Sequence, residues 1–179
     1  CRPLKLIRKL HDMWYDSSVP MRDRIYELIV TMGVIACFLA AAVGLFIGNS
    51  LLMATPFFAG GIIFVALLFA GMHSHKITAL SHLSAFLINF VIFPAAFFLT
   101  GGVNGGTPQW YIMGLIFVML LLTNKARILF FILTVAGFGA TYVVAMKYPQ
   151  FVIPLESTRA VYVDSSWSVL IVGVIIGVI

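Results

Sequence analysis

From residue 25 onward the charged side chains fall at the ends of long apolar runs, and His82 is the one ionisable group besides the buried-type Cys37 that sits well inside a run. A chain crossing a hydrocarbon layer must satisfy every backbone polar group internally, so runs of this kind fold as helices or as closed barrels. Runs of about 20 residues are too long for membrane strands and match the length of a spanning helix. Only 9% of the residues are charged and 62% are hydrophobic, against roughly 25% charged in a soluble domain. The fold class is therefore an all-α membrane protein. The formal charge of +5 does not indicate nucleic acid, because the basic residues mark the membrane edges and form no soluble basic surface.

Six runs are expected to be transmembrane helices, at about 25–47, 51–72, 77–98, 108–124, 128–146 and 166–179. Residues 3–14 place Leu4, Ile7, Leu10 and Trp14 at helical spacing with basic residues mostly off that stripe, which reads as an interfacial amphipathic helix on an anionic leaflet. The domain division is thus 1–20, an interfacial helix and linker, and 21–179, the six-helix membrane domain. The first span carries Ala36, Ala40, Gly44 and Gly48 four residues apart, a stripe that lets a neighbouring helix approach. Pro94 removes one backbone bond and should bend the third span. Residues 147–166 form the longest polar connection. The last run is still apolar at Ile179 and is expected to continue in a parent protein, while Cys1 reads as a trimmed start with no signal peptide ahead of the first span.

Charge sets the orientation. With six spans and the N-terminus inside, the cytoplasmic side receives Arg2, Lys5, Arg8, Lys9, Arg22, Arg24, Lys76, Lys125 and Arg127, leaving Lys147 and Arg159 outside. Both termini are then cytoplasmic. The connection at 100–110 and the long connection before the last span share the outer face.

That first outer connection reads Thr-Gly-Gly-Val-Asn-Gly-Gly-Thr-Pro-Gln-Trp. Gly101, Gly102, Gly105 and Gly106 permit tight turning, so this is a shaped loop and a candidate hinge or lid. Thr107 followed by Pro108 reads as the cap and first turn of the next helix. Asn104, Gln109, Trp110, Arg159, Tyr162 and Trp167 are the candidate ligand-binding residues. Uncharged hydrogen-bonding groups among aromatics suit a small amphipathic ligand, and Arg159 could hold an anionic end. Interfacial tyrosine and tryptophan also need no function to be there, and Glu156, Arg159 and Asp164 also read as weakly paired charges of a solvated loop.

The spans lack the buried ionisable groups that proton and ion relays use, and Glu27 reads as a membrane-edge residue, which lowers transport and intramembrane catalysis together. No catalytic residue is assigned. His73, His75 and His82 raise the question of metal or haem, but no opposing histidine stands on another span and His11 lies in the interfacial segment, so no metal or cofactor is expected. Cys1 and Cys37 make no disulfide framework. Gly173 and Gly177 have the four-residue spacing of close helix pairs, either against the first span or across a dimer.

Val-Pro-Met-Arg-Asp-Arg-Ile-Tyr-Glu-Leu at 19–28, Phe-Phe-Leu-Thr-Gly-Gly-Val-Asn-Gly-Gly-Thr-Pro-Gln-Trp at 97–110, and Tyr-Val-Asp-Ser-Ser-Trp-Ser-Val-Leu-Ile-Val-Gly at 162–173 resemble the N-terminal six-span sensor modules of bacterial signalling enzymes. Those modules precede diguanylate cyclase (GGDEF) or histidine kinase output domains. The resemblance implies a homodimeric receptor in the bacterial inner membrane, passing a signal through its last helix to a cytoplasmic output domain. This chain contains no output domain. A small-molecule or lipid transporter and a passive membrane anchor or dimerisation module are the alternatives.

Overall fold

The computed structural model describes residues 20–46, 50–73, 76–155 and 157–178. The expected interfacial helix, Cys1, His11, His75, Gly48 and Glu156 lie outside the described residues. Six helices follow one another: α1 (Met21–Phe46), α2 (Leu51–His73), α3 (Ile77–Leu99), α4 (Thr107–Leu121), α5 (Asn124–Lys147) and α6 (Thr158–Val178). Short 3-10 turns at Gly102–Asn104 and Pro149–Phe151 lie in the two connections at one end of the bundle. Among the described residues there is no strand.

Five of the helices, all but α4, are long and apolar enough to cross a membrane, as in a multi-pass membrane protein. With 15 residues, α4 reaches about 22 Å at 1.5 Å per residue, short of a hydrocarbon layer of ~30 Å. Its shortness goes with its position. Trp110, Tyr111, Met113, Phe117, Val118 and Leu121 are all buried, so α4 is wrapped by other helices, whereas α5 buries only Thr134 and Thr141 and presents most of its length outward.

The α1–α2 pair is joined by aromatic rings resting on glycines. A Cβ added at Gly33 would lie 2.7 Å from the Phe64 ring, one at Gly61 2.9 Å from Phe38, and one at Gly71 2.7 Å from Tyr26. Ala36 of the expected small-residue stripe is buried, but these glycines make the closest approaches. The Tyr26 hydroxyl donates to the Leu67 carbonyl at 3.1 Å, satisfying a polar group that would be costly within the bundle.

Helix α3 loosens before its proline, as a π-helical turn at Ile88–Ile92 precedes Pro94. Pro94 cannot donate to the preceding turn, and a widened turn is one way a helix accommodates that loss. Within it Asn89 is buried, its amide donating to the Ala85 carbonyl at 2.9 Å. Its Oδ1 lies against Gly114 of α4, where a side chain would not fit.

Four boundaries differ from the sequence reading. Helix α1 begins at Met21, four residues before the expected start at about 25. Helix α4 ends at Leu121 and α5 begins at Asn124, several residues before the expected start at 128. Asn124 takes a left-handed φ of 55°, a conformation that asparagine tolerates better than most residues. The Arg127 Nε donates to the Leu122 carbonyl at 2.7 Å and closes the corner. Helix α6 begins at Thr158 and not near 166, because the Ser157 hydroxyl accepts from the Ala160 N–H at 3.1 Å, a side-chain N-cap.

Candidate functional site

The glycine loop between α3 and α4 is a socket for the start of α6. Gly101 and Gly102 have φ of 83° and 58°, left-handed values that disfavour a side chain. They turn the chain so that the Gly101 N–H donates to the Ile153 carbonyl at 3.0 Å, while the Ile153 N–H donates to the Phe98 carbonyl at 2.8 Å. The two connections at this end are thereby stitched together through their backbones.

Gly105 and Gly106 serve a different purpose, since their φ values need no glycine but their surroundings leave no room. A Cβ at Gly105 would overlap the Thr100 carbonyl oxygen, and one at Gly106 would overlap the Ser168 hydroxyl and lie 2.7 Å from the Asp164 carbonyl oxygen. This closeness lets the Gly106 N–H donate to the Asp164 carboxylate at 2.6 Å. The N-terminus of α4 is thus met by an acid carried on α6, where a negative charge is favoured. One turn further along α6, the Ser168 hydroxyl accepts from the Trp110 indole N–H at 3.1 Å. Asp164 and Ser168 are four residues apart and therefore share one face of the helix.

Thr107 does not cap its own helix through its side chain. Its hydroxyl lies 2.9 Å from that of Thr100, which bonds the Ala96 carbonyl at 2.8 Å. A hydroxyl has one proton; with Thr100's given to Ala96, Thr107 is the donor between the two. This buried pair closes the loop from inside.

Two spaces flank the socket. One, of about 20 Å³, lies among Thr100, Trp110, Asp164, Trp167 and Ser168 and holds no more than a water-sized molecule. The other is a half-open groove of about 920 Å³, walled by Gly101, Val103 and Asn104 on one side, by Tyr142, Val143, Ala145 and Met146 of α5 on another, and by Val152, Leu155 and Val161.

No family model, no curated protein and no solved structure matches this chain.

The sequence-predicted residues fall into separate places. Trp110 is buried between the rings of Phe57 and Phe93, at 6.3 and 6.4 Å, and Trp167 lines the small space beside it. Asn104 stands exposed at the groove. Gln109 is half-buried in the first turn of α4. Arg159 and Tyr162 lie on the outward side of α6, Tyr162 being 70% exposed. The six residues therefore do not line one cavity. Asp164, read also as a loop charge, and Ser168, Thr100 and Thr107, which were not singled out as binding residues, carry the polar contacts. The signal that could have found them is the four-residue spacing of Asp164 and Ser168 ahead of an apolar helix.

Gly173 and Gly177 lie exposed on the opposite face of α6, and a Cβ at either would meet nothing within 4 Å. They do not pack against α1 within the protomer. His73 and His82 bond carbonyls of their own helices, Phe69 at 2.9 Å and Thr78 at 2.6 Å. Among the described residues, His, Cys, Asp and Glu side chains do not gather in threes. Glu27 lies within the first two turns of α1 but does not face outward. It is 4% exposed on the inward face of α1, and Ser81 and Ser84 of α3 are buried as well.

Proposed function

We propose that this chain is the sensory domain of a bacterial inner-membrane receptor. Its six helices all cross, the 15-residue α4 doing so inside the bundle, where other helices and not lipid surround most of its length, and both termini lie in the cytoplasm; it forms a homodimer and detects a small ligand at its outer face. It signals through α6 to a cytoplasmic diguanylate cyclase or histidine kinase. The observation that carries this reading is the seating of α6 in the glycine loop through Asp164 and Ser168. A ligand acts only by favouring one of two arrangements, and a helix docked by two hydrogen bonds at one end of the bundle, leading directly to the other end, offers seating and unseating as those two arrangements.

Positive charge supports the orientation, since Lys76, Lys125 and Arg127 fall at one end of the helices and Lys147 and Arg159 at the other. The outward glycines of α6 support a dimer, because small residues let two helices approach in lipid. Residues 1–179 fused to a dimer-dependent cytoplasmic reporter test the reading against the same reporter on an unrelated dimerising anchor. Output from the first should vary with the external medium while the second stays constant. Equal, invariant output from both overturns it.

The buried Glu27 favours one second reading. An acid inside the bundle, with Ser81 and Ser84 buried on α3, is the type of group that couples proton movement to transport. Proton-driven flux in proteoliposomes, abolished by Glu27→Gln, would establish it; no flux would dismiss it.

A further inference from the structure

The groove at the glycine-loop end has a shape and lining unlike the small polar space beside it. At about 920 Å³ it falls in the range of small-molecule sites. Its walls are aliphatic apart from Tyr142, Asn104 and the backbone of the loop, and no charged side chain lines it among the described residues. One wall is the end of α5, including the exposed Val143, and the outward surface of that helix continues away from the groove as Ile128, Leu129, Ile132 and Val135, all exposed. A spanning helix exposes such a surface to lipid. The groove therefore opens onto the lipid-facing side of the bundle and is continuous with it.

Its depth is marked by aromatic residues. Tyr148 follows Lys147 directly, a pairing typical of a membrane–water boundary, and is exposed with its ring 5.7 Å from that of the exposed Phe151. The polar group at the groove, Asn104, is on the loop at this same end.

From these features we infer that the groove holds the hydrocarbon chain of a single-chain amphiphile taken laterally from the membrane, with its head at the boundary beside Asn104. A chain leaving the bilayer gains little from hydrophobic transfer, because lipid tails are as apolar as the groove. Selection then rests on how well a chain fills the space and on hydrogen bonds to its head, and not on head charge. The inference builds on the receptor reading by naming the ligand class. Gly101 and Val161 both line the groove; Gly101 belongs to the loop that receives α6, and Val161 lies three residues before Asp164 on α6 itself.

The test is photolabelling in nanodiscs of phosphatidylethanolamine and phosphatidylglycerol, using a long-chain monoacylglycerol with a diazirine at mid-chain, and mapping of the adducts by mass spectrometry. Adducts should concentrate in 101–104 and 142–155, saturate, and be displaced by the unlabelled compound. A fatty-acid anion of the same chain should compete within about threefold. Val143→Trp, which fills the groove from its exposed wall, should lower labelling at least tenfold, with Val161→Phe as a second filling variant. Val135→Trp on the lipid-facing side should leave it unchanged. Labelling spread evenly along the outward face of α5, or insensitive to both filling variants in folded protein, overturns the inference. Labelling needs no signalling output, so a labelled groove with unregulated output removes the receptor reading alone, and an unlabelled groove with regulated output removes this inference alone.

Discussion

The Asp164 carboxylate accepts a hydrogen bond from the Gly106 N–H at 2.6 Å, across 58 residues of chain. This contact joins the last helix to the start of α4, and it involves an ionisable residue on one side and a backbone group on the other. Replacing the acid by alanine leaves the Gly106 N–H without its acceptor. A hydrogen bond to a charged group contributes about 1.5–3 kcal/mol, so Asp164→Ala should destabilise the fold by about 2 kcal/mol and Asp164→Asn, which keeps an acceptor, by less. Equilibrium unfolding in mixed micelles measures both.

The second bond of the same seat, from Trp110 to Ser168, lies inside the bundle. Interhelical hydrogen bonds in membranes average about 0.6 kcal/mol and reach about 1.7. A double-mutant cycle of Trp110→Phe and Ser168→Ala should return a coupling within that span. A coupling of zero would mean that the indole contributes by its packing between Phe57 and Phe93 alone.

The loop glycine packed against the start of α6 and the two glycines near its far end should respond in opposite ways. Gly106→Ala introduces a methyl group where Ser168 and Asp164 already stand, so it should unseat α6 and expose its start to proteolysis. Gly173→Ala and Gly177→Ala meet nothing and exchange a helix-weakening residue for a strong helix former, which is worth about 0.5–1 kcal/mol. They should leave the protomer as stable or more so, and weaken self-association if the dimer forms on that face. Proteolysis and cross-linking in membranes separate the two effects.

Ser157 caps α6 through the Ala160 N–H. Ser157→Ala should cost about 1 kcal/mol and fray the first turn, including Arg159. Faster amide hydrogen exchange at 158–161, with α1–α4 unchanged, is the expected outcome.

The membrane class, the run boundaries of α2 and α3 and the tight turning at Gly101 and Gly102 were legible because each is local: an apolar run, a proline or a glycine pair states its own requirement. The start of α6 was misplaced because Arg159, Asp164 and Ser165 are polar, and hydropathy cannot register a helix that extends beyond its apolar part; only the Ser157 cap announces it. The partners of Gly106 and Trp110 were not legible, as both lie 58 residues away and depend on how two helices meet. The same holds for Gly33 and Gly71, whose role follows from Phe64 and Tyr26 on facing helices. Glu27 read as an edge residue because it lies near the start of its run, although its face of the helix turns it inward.

In the receptor proposed above, the seat of α6 in the glycine loop governs what happens at the other end of that helix. The most direct measurement is the output of a dimer-dependent reporter fused after Ile179, compared between the native sequence and Asp164→Ala at equal protein level in the membrane. The output of Asp164→Ala should differ at least threefold from that of the native sequence, with Asp164→Asn intermediate. Output equal to the native sequence in both variants, with α6 shown to be unseated by proteolysis, would contradict it.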